Sequence, residues 1–112
     1  MTPPKADRAG AVFEALSDPT RRTVMRSVAE DGPVTATQLA ARLPVTRQAV
    51  AKHLDALAAA GLVMSHRAGR EMRYELTPEP LSDAMAWMAE VGGAWDRRLD
   101  RLALRARSRR DT

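Results

Sequence analysis

Between Val34 and Gly61 the chain carries two short helix signals separated by a two-residue break, and that spacing leaves few folds open. Thr35-Ala36-Thr37-Gln38 has the form of a capping box. In such a box the hydroxyl accepts a backbone N–H three residues on, and the Gln amide reaches back to the capping residue's own N–H. Leu39, Ala40 and Leu43 supply the buried side of this helix, and Pro44-Val45 ends it after about two turns. Thr46 caps the next helix, on which Val50, Leu54, Leu57 and Ala58 fall on one face at helical spacing. Gly61 closes it as a left-handed cap followed by apolar Leu62 and Val63. Two helices joined by so tight a turn form a helix-turn-helix in outline.

The flanks complete a small, mainly α fold. A helix is expected from about Ala6 to Leu16, with Ala9, Val12, Phe13 and Leu16 on one face. Ser17-Asp18-Pro19 stops it, and Asp18 caps a second helix that carries Val24, Met25 and Val28 and ends near Asp31-Gly32-Pro33. Arg21 and Arg22 lie in its first turn, where cations oppose the helix dipole. They point to a phosphate or carboxylate partner, an internal ion pair being the more economical for at least one. After Gly61 the period changes. Two short strands, about Val63–Arg67 and Met72–Leu76, flank the turn Ala68-Gly69-Arg70-Glu71 and read as a hairpin. Pro78 and Pro80 punctuate the chain, and a long helix starts near Leu81. Its seam of Leu81, Met85, Met88, Gly92, Trp95, Leu99, Leu102 and Ala106 follows spacings of four and three, the pattern of helix–helix packing. Gly92-Gly93 weakens this helix locally. The expected layout is a disordered arm over 1–8, a winged helix-turn-helix core over 9–78, a C-terminal dimerisation helix over 79–107 in the same domain, and a disordered tail over 108–112.

Composition narrows what such a frame does. Eighteen Lys and Arg against 14 Asp and Glu give a net charge of +4, which suits a polyanion, whether nucleic acid or an anionic membrane surface. With no cysteine, disulfides, thiolate metal sites and cysteine nucleophiles are excluded. His53 and His66, the only histidines, are far apart and fit no metal-ligand spacing. Asp96 and Asp100 sit among Arg97, Arg98 and Arg101, where ion pairing at helical spacing accounts for them. No metal or cofactor is expected. Nor is an enzyme, for the chain has no serine elbow, Gly-rich phosphate loop or evident carboxylate pair. No apolar run approaches the roughly 20 residues of a membrane span, and Met1 to Gly10 lacks a signal-peptide core, so no membrane association and a cytoplasmic location are expected.

The second helix of the motif buries Val50, Leu54 and Leu57 and offers Arg47, Gln48, Ala51, Lys52 and Asp55 on the opposite face. The N-terminal part of such a helix enters a DNA major groove. Arg pairs bidentately with guanine and Gln with adenine, while small Ala51 allows close approach to base edges or a thymine methyl. Lys52 suits a phosphate, and His53 suits either packing or a phosphate. The hairpin adds Arg67, Arg70 and Arg73, with the Gly69-Arg70 tip suited to a minor groove or to phosphates. Most polar helix faces are merely solvated, and charged hairpins also discourage edge aggregation. After a capped helix and a tight turn, both surfaces read as DNA contacts. The candidate DNA-binding set is Thr46, Arg47, Gln48, Ala51, Lys52, His53, Arg67, Arg70 and Arg73, with double-stranded DNA as partner. A small helical protein-interaction module and a nonspecific architectural DNA-binding protein are the alternatives. Arg47, Gln48 and Lys52 argue against the former, and a sequence-specific footprint would exclude the latter.

Three stretches carry a family resemblance: Phe13-Glu14-Ala15-Leu16-Ser17-Asp18-Pro19-Thr20-Arg21-Arg22; Gln48-Ala49-Val50-Ala51-Lys52-His53-Leu54, continuing to Leu57 and Ala60-Gly61-Leu62-Val63; and Gly69-Arg70-Glu71-Met72-Arg73-Tyr74-Glu75-Leu76. In this order they resemble the ArsR/SmtB family of bacterial repressors over about Val12 to Leu104. The resemblance implies a winged helix fold, a homodimer built from the first and last helices, and repression relieved when a signal weakens DNA binding. The dimer interface then involves Val12, Phe13, Leu81, Met85, Met88, Trp95, Leu99 and Leu102, and the operator is an inverted repeat. Metal sensors of the family often carry Cys-x-Cys at the start of the third helix, where this chain has Thr35 and Thr37. Another common metal site uses histidine and carboxylates on the last helix, which has no histidine here. The likeness is to the metal-site-free branch. Met85, Trp87, Met88 and Trp95 lie close together in sequence, so a small apolar effector would act near the dimer helices, although packing explains the same residues more simply.

Overall fold

A computed structural model describes the backbone of residues 5–110 and the side chains from Arg8 on. The elements follow in the order α1 (Lys5–Ala15), α2 (Pro19–Asp31), β1 (Val34–Thr35), α3 (Ala36–Arg42), α4 (Arg47–Ala59), β2 (Val63–Ala68), β3 (Glu71–Leu76) and α5 (Pro78–Arg110). Their ends are set by local chemistry. The Asp18 carboxylate accepts the N–H groups of Thr20 (2.8 Å) and Arg21 (3.2 Å), which the first turn of α2 leaves unpaired. The capping box is complete: Gln38 N–H donates to Thr35 Oγ1 (3.1 Å) and Thr35 N–H to Gln38 Oε1 (2.9 Å). Thr46 Oγ1 accepts from Ala49 N–H (3.1 Å). Gly61, at φ 76°, lets its own N–H reach Ala58 O and that of Leu62 reach Leu57 O, both at 2.9 Å. This pair of reversed bonds ends α4 and turns Leu62 into the core.

Arg21 and Arg22 are explained differently from expectation. Their guanidinium groups donate to Ala15 O and Leu16 O, the carbonyls left over at the end of α1, and the charge of Arg21 also acts on the Asp18 carboxylate. The negative end of one helix thus offsets the unfavourable position of both cations at the start of the next.

Helix reaches into both ends expected to be disordered, and over 6–8 this agrees with the helix expected from about Ala6. Residues 5–8 are helical, and Arg8 Nη2 lies 3.3 Å from Asp83 Oδ2, tying the start of α1 to α5. Residues 1–4 of the expected arm lie outside the described residues. At the other end α5 continues through 108–110, because nothing from Ala94 to Arg110 is glycine or proline and strong helix formers dominate. Residues 111–112 lie outside the described residues. The helix also begins at Pro78, earlier than Leu81, since a first-turn proline has no needed N–H to lose, and it runs unbroken through Gly92-Gly93.

The hairpin β2–β3 pairs antiparallel from Val63↔Leu76 to Ala68↔Glu71, with its tip at Gly69-Arg70. A third strand, β1, was not expected. It pairs with the other edge of β3 through Val34↔Tyr74 and Thr35↔Arg73, giving the order β1-β3-β2. Two residues are too short to show a strand's alternation. Thr35 is both the last residue of β1 and the cap of α3, so the hairpin is fixed to the start of α3. Just upstream, a Cβ at Gly32 would stand 2.6 Å from Val28 O and 3.1 Å from Tyr74 O, so only glycine fits where α2 gives way to β1.

One core joins these parts: Val12, Val24, Val28, Val34, Leu39, Val50, Leu54, Leu57 and Leu62 are all buried. Val12, expected at a dimer interface, is 1% exposed and belongs to the protomer's own core, so it has no surface to offer a partner. Leu81 is half-buried against that core.

The N–H of Arg21 does most to hold the Asp18 carboxyl below its usual value of 3.8. Desolvation opposes it, while the N–H of Thr20 and the positive charges of His53 and Arg21 assist. A folded-state pKa below the unfolded one means that the cap stabilises fully above that usual value and less as pH falls through the folded value. Asn also caps but does not titrate. The advantage in Tm of the wild type over Asp18→Asn should therefore shrink as pH is lowered below about 4. A difference that stays constant down to about pH 2 would contradict this.

Candidate nucleic-acid interface

Burial of Val50, Leu54 and Leu57 fixes the roll of α4. Arg47, Gln48, Lys52 and Asp55 are exposed as a result, and Ala51 is half-buried. The start of α3 and the hairpin flank the N-terminal half of α4, and the three enclose a groove of about 570 Å³. Its walls are Thr35, Ala36, Thr37 and Gln38 from α3 and its cap, Arg47, Gln48 and Ala51 from α4, and Arg70, Glu71, Met72 and Tyr74 from the hairpin. Arg47 Nε donates to Thr37 Oγ1 at 3.0 Å across the turn. Glu71 is the one acidic residue in the wall, and Arg73 Nη2 lies 3.4 Å from its carboxylate.

The groove gathers four of the nine expected contact residues: Arg47, Gln48, Ala51 and Arg70. Thr46 is committed to its cap. Lys52 is exposed on α4 beside the groove. His53 is set apart: it is half-buried and its Nδ1 is fully buried. Of the two roles its position allowed, packing and a phosphate contact, this burial favours packing. Strand alternation puts Arg67 on the hairpin face of Met72 and Tyr74, and Arg73 on the opposite face with His66. The contribution of α3 to the groove was missed. Thr35 read as a cap, and Thr37 only as the second of two positions where metal sensors often carry cysteine; no spacing rule connects residues 37 and 47 across a turn.

A second exposed surface lies along α5, a helix of roughly 50 Å at 1.5 Å per residue. Ala84 is its one buried residue. Beyond it Met85, Met88, Trp95, Leu99 and Leu102 are each 45–58% exposed along the expected seam. Phe13 of α1 meets Trp87 edge-on, with centroids 5.6 Å apart, and the Arg98 guanidinium stands 5.9 Å from the Trp95 ring centre. Among the described residues no group of three or more potential metal ligands occurs, and no helix is long and apolar enough to cross a membrane.

A helix-turn-helix domain family matches residues 16–66, from the end of α1 into β2. The transcriptional repressor SdpR of Bacillus subtilis is 34% identical over 77 residues, which cover 69% of this chain and 84% of that protein. An ArsR-like transcriptional regulator from Rhodococcus sp. RHA1 superposes with a TM-score of 0.76 at 42% identity, over 87% of this chain and 91% of the other. The chain belongs to the ArsR-like family of helix-turn-helix transcriptional regulators. This ArsR-like regulator is accordingly a DNA-binding protein and not an enzyme. Its fold is also that of a winged helix-turn-helix DNA-binding domain from Mycobacterium bovis, at a TM-score of 0.61 and 24% identity over 85% of this chain and 84% of that one. In the ArsR-like frame α3 and α4 are the helix-turn-helix and β2–β3 is the wing.

Proposed function

We propose that this ArsR-like regulator is a repressor that binds an inverted-repeat operator as a homodimer. The observation that carries the reading is the groove that brings Arg47, Gln48 and Ala51 of α4 together with Arg70 of the wing. With the N-terminal half of α4 in a major groove, Arg47 and Gln48 face base edges. The wing tip then lies along the adjacent minor groove or its phosphates. The sugar-phosphate strand between the two grooves runs along the concavity, where Gln38 offers a polar group to it. The exposed seam of α5 supports dimerisation, with Phe13, Leu81, Met85, Met88, Trp95, Leu99 and Leu102 as the interface set, because so long an apolar stripe is a liability in a monomer. A two-fold axis sets two recognition helices about one DNA turn, roughly 34–36 Å, apart and so requires a palindromic site. Similarity to a named repressor favours repression over activation. The protein works in the cytoplasm, and the dimer helices are where a small apolar effector would act.

Substitutions on the two sides of the groove test the assignment. Gln48→Ala should cost about 1–3 kcal/mol on the preferred operator and relax preference at one base-pair position per half-site. Lys52→Ala and Arg70→Ala should weaken all sequences alike. Each should also reduce the slope of log affinity against log salt by about 0.9 for every phosphate no longer neutralised, hence about 1.8 per dimer. Competition binding on single-base operator variants at several salt concentrations reads both quantities. If Gln48→Ala acts uniformly while Arg70→Ala changes base preference, the wing reads sequence and the roles are reversed.

A further inference from the structure

We propose that Thr37 is a positioning residue for base recognition: its hydroxyl holds the Arg47 guanidinium in the orientation in which it reads a base. The inference rests on the DNA-binding reading above. It starts from a side-chain hydrogen bond that joins the two helices of the motif, Arg47 Nε to Thr37 Oγ1 at 3.0 Å. Both residues line the groove and the bond is solvent-exposed, so it is made on the DNA-facing surface and not inside the core.

Arg47 is the first residue of α4, where four backbone N–H groups point toward the helix start and carry its positive end. A cation there gains nothing from its own helix and would sample many rotamers in solvent. Thr37 supplies the missing restraint. It stands in the first turn of α3, whose position is fixed by the Thr35–Gln38 capping box and by the pairing of Thr35 with Arg73 in the wing. The hydroxyl is therefore a rigid acceptor. With Nε engaged, the two Nη groups remain as a parallel pair of donors, the fork that matches guanine O6 and N7 end-on. The side-on approach, which uses Nε itself, is blocked. Thr37 thus selects one of two ways in which arginine addresses guanine, and orders the side chain before DNA arrives.

The test uses the full-length protein and the operator recovered by selection. Thr37→Val keeps the shape and removes the acceptor; Thr37→Ser restores it. Binding is measured across all single-base variants of the operator, with thermal unfolding and the salt slope recorded in parallel. Thr37→Val is expected to lower discrimination at one base-pair position per half-site by about tenfold, with Tm and salt slope unchanged, and Thr37→Ser to recover most of it. In an Arg47→Ala background Thr37→Val should have no further effect, because the group it positions is gone. Unaltered base preference in Thr37→Val, or an equal loss on every sequence, overturns the proposal while leaving the DNA-binding reading intact. If the wild type selects no operator at all, the DNA-binding reading itself fails, and the proposal with it.

Discussion

Leu99→Asp is expected to turn the proposed dimer into a monomer and to remove operator binding at protein concentrations where the wild type saturates. Leu99 is 45% exposed in the protomer and lies on the seam with Trp95 and Leu102, well beyond Ala84, where the buried part of α5 ends. An aspartate there disturbs nothing in the protomer core, so helix content should be unchanged. In an isologous interface each substitution appears twice. Two carboxylates must then lose water together among the apolar side chains of the seam. Each desolvated ion costs several kcal/mol, enough to weaken dimerisation by about three orders of magnitude. DNA affinity falls with it, since a monomer binds one half-site. Leu104→Asp is the control: Leu104 is 62% exposed and lies about 140° round the helix from Leu99, off the seam, so association should be unaffected. Sedimentation at micromolar concentration distinguishes the two. A wild type that sediments as a monomer, or a Leu99→Asp protein that remains dimeric, contradicts the assignment of the seam.

The second large effect is on stability. Leu54 is fully buried on the inner face of α4, in the same core as Leu39 of α3 and Val24 and Val28 of α2. Leu54→Ala removes its packing and leaves a cavity that rigid neighbouring helices close only in part, at a cost of about 2–5 kcal/mol. Against a total of about 5–15 kcal/mol for a domain, that is a large fraction. Lys52→Ala, two residues away on the exposed face, should stay within about 0.5 kcal/mol. Urea unfolding at one fixed protein concentration, so that dimer dissociation contributes equally, gives both values. A Leu54→Ala cost below about 1 kcal/mol would mean that α4 is not packed as described.

What was legible in the sequence was the local chemistry. Asp18, Thr35 and Thr46 each have a short acceptor one residue before an apolar period, and each caps as expected. The left-handed Gly61 and the hairpin were legible for the same reason: backbone requirements of this kind are met by few residue types. The ends differ from expectation, because the mostly polar residues at 5–8 and 108–110 resemble frayed chain, whereas α1 and α5 extend through them, with the Arg8–Asp83 pair at one end and an uninterrupted run of helix formers at the other. Strand β1 was invisible because its pairing with β3 is nonlocal and only two residues long. The same limit applied to the site. Arg47 and Gln48 could be placed on the outward face by period alone, but their union with Arg70 and Thr37 in one groove depends on how α3 and the wing are joined through Thr35. His53 shows the converse: its helical position borders the buried face and left packing and a phosphate contact both open, and only the structure shows how far its ring is buried.

Selection of bound duplexes from a fully randomised DNA library, with the purified wild-type protein at near-physiological salt, tests sequence-specific recognition by a two-fold dimer most directly. The expected result is a single inverted repeat whose half-sites are centred about 10–10.5 base pairs, or a whole multiple of that, apart. Retention of DNA with no enriched motif would contradict it and make the protein a nonspecific architectural binder, and failure to retain DNA at all would leave the basic surface to an acidic protein partner.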